Sequence, residues 1–215
     1  MDYIFYKYIE PVSIKDKISY IKISKASKHH ICELAKIYGT LFNSDNRNVL
    51  DKLNIFGRTK KEGLWDEKPY TLEICKRIIK EYASSNYFGV VAISKNDKKD
   101  IVIGASVYQA INYEKLKEKG IEIPFNIKED EVEYWVEIDT FRREANLLGT
   151  KISYLSNEMR NRALNLFKKE KPVLIYSSTN NPVMVKAWEK DGFTIVKKKT
   201  NFGNKYQAFK LVERI

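Results

Sequence analysis

Glu133-Tyr-Trp-Val-Glu-Ile-Asp-Thr-Phe-Arg-Arg-Glu-Ala-Asn-Leu-Leu-Gly-Thr-Lys151 changes periodicity part-way along. Up to Asp139 the residues alternate. Val132, Tyr134, Val136 and Ile138 fall on one face and Glu133, Trp135, Glu137 and Asp139 on the other, as in a strand. An irregular basic segment follows. From Gly149 onward Ile152, Leu155, Met159, Ala163, Leu166 and Phe167 recur at helical spacing. A strand that feeds a helix through a short loop leaves the first backbone N–H groups of the helix without intrahelical partners. Those donors and the positive end of the helix dipole make a site for an anion such as phosphate. The stretch therefore predicts a strand–loop–helix unit with an anion-binding turn.

Working upstream, Tyr87-Phe-Gly-Val-Val-Ala-Ile-Ser94 and Ile101-Val-Ile-Gly-Ala-Ser-Val-Tyr-Gln-Ala110 read as strands joined by a polar hairpin at 95–100. Residues 112–131 are charged and contain Gly120 and Pro124, with too few apolar residues to bury a core, so a surface insertion is expected there. Two amphipathic helices precede the strands. Ser27 caps one, with Ile31, Leu34, Ala35, Tyr38, Leu41 and Phe42 on its apolar side. Thr71 caps the other, with Leu72, Cys75, Ile78, Ile79 and Tyr82. The polar region 45–69 reads as a short helix followed by a loop. Residues 20–25 alternate as a strand, and residues 1–19 are expected to form an N-terminal arm or extra edge strand.

Downstream, residues 173–178 read as a strand. Asn181 and Pro182 open a short helix that ends at Gly192. Residues 193–199 and 206–212 form a closing hairpin around Asn201-Phe-Gly-Asn204. No repeat, low-complexity tract or linker interrupts this order. Residues 20–215 are expected to make a single α/β domain with a mixed central sheet flanked by helices.

The bulk properties exclude several classes. With 215 residues, 43% hydrophobic and 31% charged, the composition is that of a soluble globular chain. The net charge of +11 favours polyanions as partners, but the lysines are spread along the whole chain, as on a solvated surface. Cys32 and Cys75 stand far apart, and the only histidines, His29 and His30, are adjacent, so no metal-ligand spacing exists and no metal is expected. No window is apolar enough to cross a bilayer, and no secretory signal pattern opens the chain, so a cytoplasmic protein without a membrane partner is expected.

The order of elements, together with Asn181-Pro-Val-Met-Val-Lys-Ala-Trp-Glu-Lys-Asp-Gly-Phe193, resembles the GNAT superfamily of acyl-CoA N-acyltransferases. The resemblance spans about residues 20–212. Asn181, Glu189, Lys190, Gly192 and Phe193 match the family's late motif in register, while Met184 replaces the usual Ala and Trp188 the usual Tyr. The pyrophosphate loop diverges. Gly149 fits its last position, but Leu147 stands where Gly is usual and Glu144 where Arg or Gln is usual. Arg142 and Arg143 lie further upstream, as though the loop were two residues longer than the norm.

The resemblance implies acetyl-CoA as co-substrate. Its contacts would come from Ile138, Arg142, Arg143, Asn146, Leu147, Leu148, Gly149, Thr150, Asn181 and Trp188. It also implies direct attack of a primary amine on the thioester. An amine must lose a proton to become part of an amide, and Glu137, then Asp139, are the carboxylates placed to accept it. Alternatively, these carboxylates bind a cationic substrate or balance nearby lysines. Trp188 cannot act as the acid that the family's Tyr supplies, because an indole N–H is not a usable acid. The acceptor would be a small-molecule amine, a protein amine or the amino group of an aminoacyl-tRNA, and a homodimer is among the expected assemblies. The runner-up is a GNAT-fold regulatory protein that binds CoA without catalysis. A basic nucleic-acid-binding protein, with Lys197–Lys199, Phe202 and Tyr206 as its surface, ranks third.

Overall fold

The computed structural model describes residues 18–42, 71–84, 86–94, 100–143, 155–166, 171–179, 182–200 and 203–213. The strands are β1 (Ile18–Lys22), β2 (Phe88–Ser94), β3 (Ile101–Ile111), β4 (Glu133–Arg142), β5 (Val173–Thr179), β6 (Thr194–Thr200) and β7 (Gly203–Val212). The helices are α1 (Lys28–Phe42), α2 (Leu72–Tyr82), α3 (Tyr113–Glu118), α4 (Leu155–Leu166) and α5 (Pro182–Lys190). The strands form one seven-stranded sheet in the order β1-β2-β3-β4-β5-β7-β6. The pairs β1–β2, β2–β3, β5–β7 and β6–β7 are antiparallel and β4–β5 is parallel, so the sheet is mixed, as the sequence predicts. By its internal contacts the chain falls into two compact units, each described separately below.

The first unit holds β1, α1, α2, β2, β3 as far as Tyr108, β4 from Ile138, and α4. Its core joins Leu34, Ala35, Ile37 and Tyr38 of α1 to Cys75, Ile79 and Tyr82 of α2, over Val91, Ile93, Val102, Ala105, Val107 and Phe141 of the sheet. All of these helix residues except Ile37 belong to the apolar stripes read from the sequence. Helix α4 packs on β1 and β2, and its Arg162 guanidinium lies 5.5 Å from the centre of the Tyr20 ring. Val90 and Ala92 are fully buried on the face opposite Val91 and Ile93. Strand β2 is therefore covered on both sides, which explains its unbroken apolar run.

Both predicted caps form. Ser27 Oγ accepts from His30 N at 3.2 Å, and Thr71 Oγ1 accepts from Ile74 N at 3.3 Å. The first strand differs from its predicted span. It ends at Lys22, and Ile23–Lys25 is a 3-10 turn closed by Ala26 N donating to Ile23 O at 3.0 Å. The turn buries Ile23 and leads the chain into the Ser27 cap.

The second unit holds the end of β3, α3, the start of β4, β5, α5, β6 and β7. Its core contains Leu116, Ile121, Val132, Tyr134, Leu174, Tyr176 and Phe209. Residues 112–131 place Leu116 and Ile121 in this core and pack Tyr113, Ile123, Phe125 and Ile127 against it. The segment expected as a surface insertion thus lends its scattered apolar residues to the second unit. Helix α5 ends as predicted: Gly192 takes φ +79° and the Phe193 N–H reaches back to the Trp188 carbonyl at 2.9 Å.

Candidate functional site

Strand β4 carries Glu137, Ile138, Asp139 and Arg142, which the sequence reading names as site residues. Its parallel pairing with β5 runs from Glu133↔Val173 to Val136↔Tyr176. Strand β5 stays paired with β7 as far as Thr179, and β4 continues to Arg142. Glu137, the next residue of β4, is 7% exposed, among the more deeply buried of the acidic side chains described. Tyr176 and Ser177 of β5 are buried as well.

In the first unit, alternate residues at the end of β4 each meet a helix. Asp139 Oδ2 accepts the hydroxyl of Tyr82 on α2. Phe141 packs edge-on against Tyr38 of α1, ring centres 5.2 Å apart. Arg143, just beyond the strand, reaches Glu33 of α1, with Nη2 3.0 Å from Oε2. Between them, Thr140 points the other way, its Oγ1 2.8 Å from Ser106 Oγ on β3.

The Tyr82 ring also meets Tyr38 edge-on, ring centres 6.4 Å apart. Burial, reinforced by the Asp139 charge, pushes the Tyr82 hydroxyl far above its ordinary value, so it remains a donor at any physiological pH.

Arg143 is 6% exposed and fully engaged along the strand. Its Nε donates to Val102 O at 2.7 Å and its backbone N–H to Ile103 O at 2.8 Å. Burial pulls its guanidinium below the ordinary value, while Glu33 acts against that pull. For Glu33 burial is the largest single influence and raises its carboxyl. The Lys36 hydrogen bond and the charges of Lys36 and Arg143 outweigh it and hold the carboxyl below the usual range. Arg142 is half-buried, and its Nη1 donates to Arg143 O at 2.9 Å. Ile138 packs against the first unit's core.

In the second unit Trp188 is 2% exposed and tilted against Phe193, ring centres 6.2 Å apart. Its indole N–H has no hydrogen-bond partner among the described residues. Asn146, Leu147, Leu148, Gly149, Thr150 and Asn181 lie outside the described residues. No cluster of three or more His, Cys, Asp or Glu fit to hold a metal occurs among the described residues. The sequence reading missed Tyr82, Tyr38 and Glu33 as partners of this strand. A tyrosine in an apolar helical stripe is itself a signal, since a buried phenol needs a partner for its hydroxyl.

The sequence matches no protein-family model and no curated protein. The fold, in contrast, matches solved structures over nearly the whole chain. An Arabidopsis thaliana NAA60 in complex with acetyl-CoA superposes with a TM-score of 0.51 at 9% identity, covering 91% of this chain and 100% of that one. A GNAT-family protein from Desulfovibrio desulfuricans gives 0.52 at 10% identity, covering 91% and 99%. The chain has the GNAT fold. An acetyltransferase from Thermus thermophilus gives 0.50 at 12% identity, covering 95% and 100%. Within the GNAT fold seen here, β4 is the strand along which Glu137, Ile138, Asp139 and Arg142 are arrayed.

Proposed function

We propose that this chain is an acetyl-CoA-dependent N-acetyltransferase acting on a primary amine. The observation that carries the proposal is the register of β4. In a chain with the GNAT fold, its parallel pairing with β5 stops at Val136, directly before a buried carboxylate, Glu137. Backbone groups that a strand no longer shares with its neighbour are those an extended, amide-bearing ligand can pair with. The pantetheine arm of CoA is such a ligand.

In this reading the thioester lies beside Glu137 and Ile138. The amine nitrogen forms a bond to the thioester carbon, the carbon–sulfur bond breaks, and sulfur leaves as the CoA thiol after taking up a proton. Glu137 takes the amine proton, directly or through water. Asp139 is the second carboxylate. One of its oxygens already receives the Tyr82 hydroxyl, which suits it to hold the ammonium before deprotonation. Arg142 and the N–H groups that open the following segment, from Asn146 to Thr150, would meet the pyrophosphate. Arg143 anchors the end of β4 through Glu33 and Val102. Asn181 and Trp188, which belong to the late motif, would lie along the pantetheine arm.

Release of CoA thiol, measured with acetyl-CoA across small amines, peptides with free N-termini and aminoacyl-tRNA, tests the proposal. Activity with at least one acceptor class is expected. Glu137→Gln should lower kcat by about 10²–10⁴-fold while leaving acetyl-CoA affinity intact. A second reading, CoA binding without catalysis, is favoured by Trp188 standing where the family has its acid. Saturable acetyl-CoA binding with no thiol release from any acceptor would establish it.

A further inference from the structure

The second unit contains a cavity of about 630 Å³ at the opposite end of β4 from Arg142. It is walled by the end of β3, the start of α3, the turn at Glu129–Glu131, and Glu133 to Trp135. A volume in this range is that of a small-molecule site. Its chemistry is the reverse of the chain's. The protein carries a net charge of +11, yet this wall presents Glu129, Asp130 and Glu133 beside Lys171. The Lys171 Nζ already donates to the Asp130 carbonyl at 2.6 Å.

The remaining wall is aromatic. Tyr113 and Tyr134 lie with ring centres 5.6 Å apart. One ammonium is already drawn to this wall: Lys117 Nζ sits 6.0 Å from the centre of the Tyr113 ring. The Tyr134 hydroxyl donates to the Glu129 carbonyl at 3.3 Å. Burial raises that hydroxyl above its ordinary value, and Glu129, Tyr113 and Asp130 raise it further. A concave site with carboxylates around it and the half-buried Tyr113 ring in its lining selects a positive charge on an apolar body.

We infer that this cavity is a binding site for a small organic cation, an ammonium carried on an apolar group, separate from the acetyl-transfer chemistry proposed for Glu137. A quaternary ammonium is the fitting probe, because it has no N–H to acetylate and its binding is read apart from any turnover. Choline is titrated into the full-length protein by calorimetry and ligand-observed NMR, beside its uncharged isostere 3,3-dimethylbutanol. Saturable choline binding that weakens as salt is raised is expected, with the isostere binding at least several-fold more weakly.

Glu129 and Asp130 are exposed, so Glu129→Gln/Asp130→Asn is expected to fold, and circular dichroism verifies that it does. This variant should weaken choline by about fivefold. Lys171→Met should move affinity the other way, tightening choline by about two- to threefold, because it deletes a positive charge from the wall. Failure of choline to bind, equal binding of the isostere, or weaker choline binding in Lys171→Met would each overturn the inference. None of these results bears on whether acetyl-CoA binds.

Discussion

The Arg143 guanidinium illustrates how one residue can be read two ways. An arginine after a strand and before a helix suggests a phosphate ligand, yet here its guanidinium is buried against Glu33 and Val102 O. Nothing in the sequence distinguishes the two uses, because the partner lies on α1, far away along the chain. The pair makes stability depend on acid. The folded carboxyl of Glu33 is held below its unfolded value. Its contribution is therefore present above the unfolded pKa and is lost as pH falls through the depressed folded one. Urea midpoints of the wild type should drop as pH goes below about 5, and those of Glu33→Gln should drop less. At neutral pH that variant should be about 3 kcal/mol less stable, since it leaves Arg143 buried without its counter-charge. Parallel pH curves would contradict this role. Tyr82→Phe removes the hydroxyl given to Asp139, and chemical denaturation should report a loss of about 1–3 kcal/mol.

At the scale of elements, most of the reading was legible because it rests on local chemistry. Ser27 and Thr71 cap their helices through side-chain oxygens, and Gly192 closes α5 at a positive φ. Periodicity located β2, β3, β4 and the closing hairpin. Less visible was the role of residues 112–131. Their apolar residues follow no helical or alternating period, so only the tertiary arrangement shows Leu116 and Ile121 in a core. Also hidden was the close approach of β3 to β4. A Cβ on Gly104 would lie 2.3 Å from Phe141 O and 2.7 Å from the Arg142 Cα, backbone atoms of the proposed site strand. Gly104→Ala should cost at least about 2 kcal/mol, because a packed strand must move. Gly192→Ala meets nothing within 4 Å and should cost only the left-handed strain, about 1–2 kcal/mol. Thermal unfolding of the two variants side by side checks that order, and Gly104→Ala should also weaken acetyl-CoA binding.

For the whole molecule, the strand and helix order led to the GNAT fold although no family model matches the sequence. That order is set by where polar and apolar periods change, which survives at identities near 10%. The residues of the family's motifs match less well. Leu147, Glu144 and Trp188 all depart from the late-motif and loop patterns, so what the fold does chemically was less legible than the fold itself. Use of acetyl-CoA by this chain is tested by the melting temperature with acetyl-CoA, with CoA and with heparin. At 100 times its dissociation constant acetyl-CoA should stabilise by about 2.7 kcal/mol. For a chain of this size that is a rise of roughly 5–10 °C. A rise with both CoA species that exceeds any effect of heparin is the predicted result. No shift with either CoA species, or a shift that heparin reproduces, would contradict it.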